Sequence, residues 1–331
     1  MLAILPVPVA PAEPPPSAGE LAVFTASIDS AAAYAAEAKS PRTRAVYRAA
    51  AGAFADWCRS AGHPVGLPDE PASVAVTAAY LAAMADRGAK ASTIDLHAAA
   101  IAFAHRAAGH EPPTSAEAVK AVVRGIRRRI GTKVTRKAPA TADALKKILR
   151  KIPETLVGKR DRALILIGFA AALRRSELVA LQVSDLERST EGVLVHIGKS
   201  KTDQEGAGHT VPIPAGSKLK PVQALDAWLS AAAIVSGPVF RPVAKGGRVG
   251  FVALTDRSVA QIVKDRAGAA GFDASLFSGH SLRAGFVTSA LEAGADLLKV
   301  MDVTRHTQID TLKAYDRRAQ AFKNHAGKGF L

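Results

Sequence analysis

Cysteine, aromatic residues, acidic charge and long apolar runs are all scarce in this chain, and each shortage excludes something. One cysteine, Cys58, stands among 331 residues, which rules out a disulfide framework and a metal site built from several thiolates. It lies beside Trp57 in an apolar stretch and reads as core packing, in a composition that fits a reducing cytoplasm. Aromatic residues make up only 5%, so the core must be assembled from small side chains. Asp and Glu number 29 against 44 Lys and Arg, a net charge of +15. A chain this basic repels itself; a large polyanion is the natural partner, with nucleic acid ahead of a membrane surface. The bland alternative is a basic protein with no such partner. No apolar run reaches the roughly 20 residues needed to cross a bilayer, so no membrane association is expected. The start, MLAILPVPVAPAEPPP, lacks a basic leader and is broken by Pro6, Pro8 and Pro11, unlike a signal peptide. Residues 1–20 are expected to form a disordered, Pro-rich tail.

What the chain has in quantity is helical pattern. Apolar residues recur at helical spacing in Thr43–Ser60, Ala75–Asp86 and Thr93–Ala108. Pro41 suits the mouth of the first segment, and Ser92 or Thr93 can cap the third. Thr114 and Glu117 have capping-box spacing before a further helix, Ala118–Ile130. Residues 21–130 therefore read as an all-α bundle. Arg124, Arg127, Arg128, Arg129, Lys133, Arg136 and Lys137 then follow with no acidic residue among them. Such a run is usually a solvated face; between two domains of so basic a chain it reads better as a strap along phosphates. Residues 131–140 are taken as this basic linker. From residue 141 the pattern becomes mixed, with helices at Ala142–Lys151, Arg160–Leu173, Ser176–Leu181, Leu219–Ala233, Ser258–Ala269, Leu282–Ala293, Asp296–Met301 and Gln308–Tyr315. Two alternating runs, Gly192–Gly198 and His209–Pro214, suggest a hairpin. The expected fold is mainly α: an N-terminal helical bundle, then a mixed α/β domain, 141–331, with a small antiparallel sheet.

There is no GxxxxGK[ST] and no GxGxxG followed by an acidic residue, and His and carboxylates lack metal-ligand spacing. No cofactor, nucleotide or metal is expected. What remains is a scattered set of Arg, Lys, His and Tyr, which suits chemistry on a phosphate. Arginine stays charged and its planar fork binds two oxygens at once. Three segments carry this set: Leu173-Arg174-Arg175-Ser176-Glu177-Leu178, then His280-Ser281-Leu282-Arg283, then His306 nine residues before Tyr315. In the second, His280 and Arg283 share one helix face. Of four tyrosines, Tyr34, Tyr47 and Tyr80 lie in the first domain, and Tyr315 alone in the second.

These segments resemble the tyrosine recombinase, or phage integrase, family, including its Cre-like and Xer-like branches. The family carries an Arg in an LRxSEL-like box, an HxLR box, and a His or Trp nine residues before a nucleophilic Tyr. The resemblance is specific over about 141–320. Over the first domain it is architectural, a bundle like the family's SAM-like core-binding domain, with Arg44 near its start. It implies that Tyr315 attacks DNA to form a 3′-phosphotyrosyl link without ATP or metal. Arg174 and Arg283 would clamp the scissile phosphate, His280 would assist the proton of Tyr315, and His306 would donate to the phosphate. Glu177 would buttress the first box, a role compatible with plain stabilisation of a helix start. A hairpin lysine would protonate the leaving oxygen. The string HIGKSKT follows the Cre-like register and selects Lys201; the Xer-like register, with Lys directly after Gly198, selects Lys199.

The resemblance further implies double-stranded DNA with a specific inverted-repeat site as partner, a dimer per site, a tetramer in synapsis, and action on DNA in the cytoplasm. Residues 316–331, with Phe322, Phe330 and Leu331, are either a segment that docks on a neighbouring protomer or a frayed tail. Gln261, Lys264 and Arg266 are candidate major-groove contacts. Two departures stand out: Ala172 and Arg305 occupy positions where the family has glycine. Two other readings share part of the pattern. A type IB topoisomerase uses similar chemistry without synapsis, and a non-catalytic DNA-binding regulator would keep the boxes as scaffold.

Overall fold

The computed structural model describes residues 25–27, 30, 31, 34, 38–132, 137–198, 208–306, 309 and 312. The expected tail 1–20, Lys133, Arg136, Lys199, Lys201, Tyr315 and residues 316–331 lie outside them. The chain divides into two compact units, Met1–Val134 and Thr135–Leu331. Residues 137–140, assigned above to the linker, are tied to the second unit by bonds from Ala138 N–H to the Leu276 carbonyl and from Ala140 N–H to the Ser281 carbonyl, each 2.8 Å.

Among the described residues, the core of the first unit is built by α1 (Pro41–Ser60), α2 (Val74–Asp86), α3 (Ala91–Ala107) and α4 (Glu117–Ile130). The Ser40 hydroxyl caps α1 by accepting from Thr43 N–H, with Pro41 in the first turn, where its missing N–H costs nothing. Ser73 caps α2 in the same way. Two expected caps do not form. Helix α3 begins one residue before Ser92, leaving Ser92 and Thr93 inside its first turn. Thr114 falls in a short 3₁₀ turn, so Ala116 stands at the N-cap of α4 without a side-chain bond. Phe54, Cys58, Tyr80, Leu81, Met84, Ile94, Ile101 and Val119 form the core. Buried His105 closes it: Nε2 accepts from Ala72 N–H at 3.0 Å, and Nδ1–H donates to the Ile101 carbonyl at 2.8 Å.

The second unit is built on α6 (Leu156–Ala170), buried continuously from Ala163 to Phe169. A helix apolar all round belongs in a core. Around it lie α5 (Ala142–Arg150), α7 (Arg175–Ala180), α8 (Pro221–Ala231), α9 (Asp256–Ala269), α10 (His280–Glu292) and α11 (Leu297–Thr304). The sheet is antiparallel in the order β1 (Leu186–Arg188), β2 (Gly192–Ile197), β3 (His209–Pro214), so the expected hairpin gains a third strand. Three residues, two of them exposed, gave no alternating signal. In the centre, Val193 pairs with Ile213 and Val195 with Val211, and all four are buried. The mainly helical architecture with a small antiparallel sheet is the one the sequence led us to expect.

Close packing behind α10 depends on Gly285. A Cβ there would lie 1.9 Å from the Ala140 carbonyl oxygen, so a side chain must push residues 138–140 off the helix that carries His280 and Arg283. Gly285→Ala is expected to cost about 2 kcal/mol, as other overpacking changes do. Urea unfolding checks this, and an unchanged midpoint would contradict it.

Candidate active site, a cluster of arginine and histidine

Two helix ends set the geometry. Helix α6 terminates with Leu173 N–H bonded to the Gly168 carbonyl and Ala172 N–H to the Phe169 carbonyl. Helix α11 terminates the same way, through His306 N–H to Met301 and Arg305 N–H to Asp302. Both are Schellman closures, which need a left-handed residue one place beyond the last helical turn. That residue is Ala172 (φ 47°) in one and Arg305 (φ 55°) in the other. The two departures from glycine thus keep the backbone that glycine would give, at the cost of crowding a Cβ. The first turn leads straight into Arg174; the second delivers His306.

Arg283, 3% exposed, joins the two ends. Its Nη1 donates to the Ala172 carbonyl at 2.8 Å and its Nη2 to the Thr304 carbonyl. Cations are favoured at helix C-termini, where carbonyls lack partners. Nη2 also lies 3.4 Å from Nε2 of His306. On its other side His306 places Nδ1 2.7 Å from the Thr304 hydroxyl, which itself donates to the Val300 carbonyl at 2.6 Å. The partners therefore assign the proton to Nδ1, leaving Nε2 as an acceptor facing Arg283.

Arg174 is held from below. Both oxygens of Glu177, a residue whose side chain is 3% exposed, accept from it: Oε1 from Nη1 at 2.7 Å and Oε2 from the backbone N–H at 2.8 Å. Arg305 Nη2 donates to Oε2 from the far side at 2.7 Å. Burial pushes the Glu177 carboxyl up, but Arg305 and then Arg174 outweigh it and hold it below the usual carboxylate range. His280 opens α10 with its N–H on the Ser278 hydroxyl. Burial first, then Arg283, Arg174, His280 and Arg305, push the His306 imidazole down to about 4. Of these groups, Arg283 stands nearest, with Nη2 at hydrogen-bond range of the ring.

Stability should record this. An unfolded chain protonates His306 near 6.5, the folded one near 4. Between those values the unfolded state binds more protons, so stability falls as pH is lowered through that window. Glu177 acts in the same direction further down: its stabilisation is present above the ordinary 4.5 and lost as pH falls through the lower folded value. The thermal midpoint should decline from neutral pH toward 4, and His306→Ala should flatten the upper part of that decline. A wild-type profile without slope in this range would contradict the assignment.

Of the residues named from sequence, Arg174, Glu177, His280, Arg283 and His306 are brought together. Tyr315 and Lys201, with the alternative Lys199, lie outside the described residues; Leu312, three positions before Tyr315, is buried with Val287, Leu291 and Val300. The tyrosines Tyr80 and Tyr47 are engaged within the first unit, Tyr80 with Nδ1 of His97 at 2.8 Å and Tyr47 against Phe103. Among the candidate DNA contacts, Arg127 pairs with Asp95 at 2.8 Å and is exposed, as are Arg128 and Arg129, while Arg44 is half-buried. Lys137 Nζ donates to the Ser275 carbonyl at 2.6 Å, Gln261 bonds Asp265, and Lys264 is half-buried. Arg266 is a correction. It pairs with buried Asp161 at 2.6 Å and serves the interior, since an arginine beside an unsatisfied core carboxylate is drawn inward. The sequence reading also missed Thr304 and the pairing of Arg305 with Glu177. The one available signal was the charged residue at a glycine position.

A family model described as the phage integrase family matches residues 139–321. An integrase/recombinase xerD homolog from Selenomonas ruminantium is 39% identical over 279 residues, covering 82% of this chain and 80% of that protein. Recombinase cre of Escherichia phage P1 is 25% identical over 287 residues, 80% of each. Among solved structures, a lambda integrase(75-356) dimer bound to a COC′ core site superposes with TM-score 0.56 at 20% identity, covering 84% of this chain and 89% of that one. A XerH recombinase bound to palindromic difH substrate gives 0.55 at 18%, covering 77% and 71%. At those identities the structures speak for the fold.

Proposed function

The chain belongs to the phage integrase family, and from that premise we propose that it is a site-specific recombinase that cuts and rejoins DNA through a bond between Tyr315 and phosphorus. The recombinase assignment follows from the family and the relatives; the residue roles are our own reading. The observation that carries them is three guanidiniums gathered at two helix ends, Arg174 and Arg305 meeting on Glu177 and Arg283 on the Ala172 and Thr304 carbonyls with Nη2 3.4 Å from Nε2 of His306, a concentration of positive charge suited to a phosphodiester.

Arg174 and Arg283 bind the non-bridging oxygens. Both arrive with their guanidiniums already oriented, by Glu177 and by two helix-end carbonyls, so little reorganisation accompanies the reaction. The Tyr315 oxygen attacks phosphorus, the P–O5′ bond breaks, and a 3′-phosphotyrosyl link remains. The phenol proton passes toward His280, and the departing O5′ takes one from Lys201. The hydroxyl of another strand reverses these steps; the link conserves the bond energy, so ATP has no part. Donation to phosphate from Nε2 of His306 requires that this nitrogen gain a proton, which the charge of the bound phosphate favours. Leu312 supports the role of Tyr315, because three positions earlier it packs on α10, which carries Arg283, and on α11, whose end leads into His306.

Arg44, Arg127, Arg128, Arg129, Lys133, Arg136, Lys137 and Lys199 follow the DNA backbone, and Gln261 and Lys264 face base edges. Exposed ion pairs such as Arg127–Asp95 are weak and exchange readily for phosphate. The site is an inverted repeat bound by a dimer, with a tetramer joining two sites, in the cytoplasm. Among the described residues no helix is long and apolar enough to cross a membrane.

The test is incubation with a nicked substrate whose cleaved fragment diffuses away, followed by denaturing electrophoresis and peptide mapping. DNA joined to the peptide containing Tyr315 is the expected result. A wild-type protein that forms no adduct overturns the reading, and site-independent relaxation of supercoiled plasmid would replace it with a topoisomerase.

A further inference from the structure

Arg305 bonds the Val303 carbonyl at 3.2 Å and Glu177 at 2.7 Å, yet it occupies a costly position. Its backbone is left-handed, at φ 55°, a conformation that glycine adopts freely and a side chain resists. Its side chain is nonetheless 7% exposed, and its Nη2 meets a Glu177 carboxylate that is 3% exposed. Its Nε–H finds no hydrogen-bond partner among the described residues. A strained turn, a desolvated guanidinium and an unpaired N–H are all adverse to stability, and buried ion pairs are poor stabilisers even when well made. Strain of this kind points from geometry toward function.

The function is legible in what lies on the other side of the carboxylate. Glu177 spans two guanidiniums: Arg305 behind, and Arg174 in front, whose side chain is 21% exposed and is the most open of the three. Arg174 alone with Glu177 would be a neutral pair, with a carboxylate close to where a phosphate must sit. Arg305 restores a net positive charge and draws one carboxylate oxygen backward. We propose that Arg305 is a positioning residue of the phosphate site: by neutralising and anchoring Glu177 from behind, it leaves Arg174 oriented and electrically available, and so sets the rate of strand cleavage without touching DNA. This rests on the phosphotyrosyl reading above.

The experiment compares single-turnover adduct formation and DNA affinity in wild type, Arg305→Gly, Arg305→Lys and the double variant Arg305→Gly with Glu177→Gln. Glycine suits the backbone, so the single variant should fold, which circular dichroism verifies. Its cleavage rate at saturating DNA should fall about 10- to 100-fold, the usual cost of removing a group that orients a charged ligand from behind, while Kd stays within about threefold. Arg305→Lys, which keeps the charge, should retain more rate than glycine. The double variant should recover rate relative to Arg305→Gly. An uncharged amide in place of the carboxylate needs no neutralising partner, and its carbonyl still accepts from Arg174 N–H; a merely structural role predicts no such rescue. The proposal is overturned if Arg305→Gly cleaves like wild type, if its whole defect lies in Kd, or if the double variant is no faster than the single one. A wild type that forms no adduct removes the underlying reading, and the proposal with it.

Discussion

Tyr315→Phe is expected to abolish strand cleavage, by at least about three orders of magnitude, as loss of a covalent nucleophile does elsewhere, and to leave DNA affinity within about twofold. The change removes one oxygen and little volume. Affinity should be preserved because on this reading phosphate contacts carry binding, and the bonds that hold Arg174, Arg283 and Arg305 do not involve the phenol. Cleavage is lost because those cations stabilise charge but provide no nucleophile. The remaining tyrosines, Tyr34, Tyr47 and Tyr80, all precede the second unit in sequence, and none stands nine residues after a histidine of the site. Denaturing electrophoresis measures the adduct, and a mobility-shift titration at fixed salt measures affinity. Retained cleavage would move the nucleophile elsewhere.

Asp161→Ala carries the largest expected loss of stability. The carboxylate is 2% exposed, and three hydrogen bonds converge on it: Oδ1 accepts from Arg160 Nε and Nη2 at 2.9 and 2.7 Å and Oδ2 from Arg266 Nε at 2.7 Å, with Arg266 Nη2 ion-paired to Oδ2 at 2.6 Å. Arg160 is 8% exposed. Truncation leaves two guanidiniums facing each other in a space with little water, which typically costs about 3–5 kcal/mol. In a unit of this size each kcal/mol moves the thermal midpoint about 2–4 °C, so a fall of roughly 10 °C is expected by calorimetry. Arg266→Ala should lower the midpoint too, leaving the salt dependence of DNA binding unchanged; a shallower salt slope would return Arg266 to the DNA-contacting set.

How much could be read beforehand followed physical rules. The long helices declared themselves through period: Pro41–Ser60 and Asp256–Ala269 begin two residues from where the apolar spacing started them. The strand Leu186–Arg188 was invisible because three residues cannot show alternation. Cap signals misled in a different way: Ser92 and Thr114 are good capping types, but tertiary packing set the starts of α3 and α4 elsewhere. At the site, Arg174, His280, Arg283 and His306 were legible because phosphate chemistry restricts residue type and spacing. Arg305, Thr304 and Asp161 were not, since a charge that faces inward looks in sequence like one that faces water. Only folding shows which arginine meets a buried carboxylate.

Arg283 reaches a carbonyl 111 positions earlier in the chain and another 21 positions later. During synthesis that clasp cannot close until the ribosome has released Thr304, by which time both the bundle and the sheet have emerged. A product terminated before Thr304 would carry the basic surfaces of the first unit and no clasp. In such a product Arg283 would keep one of its two anchoring carbonyls, that of Ala172, and lose the other.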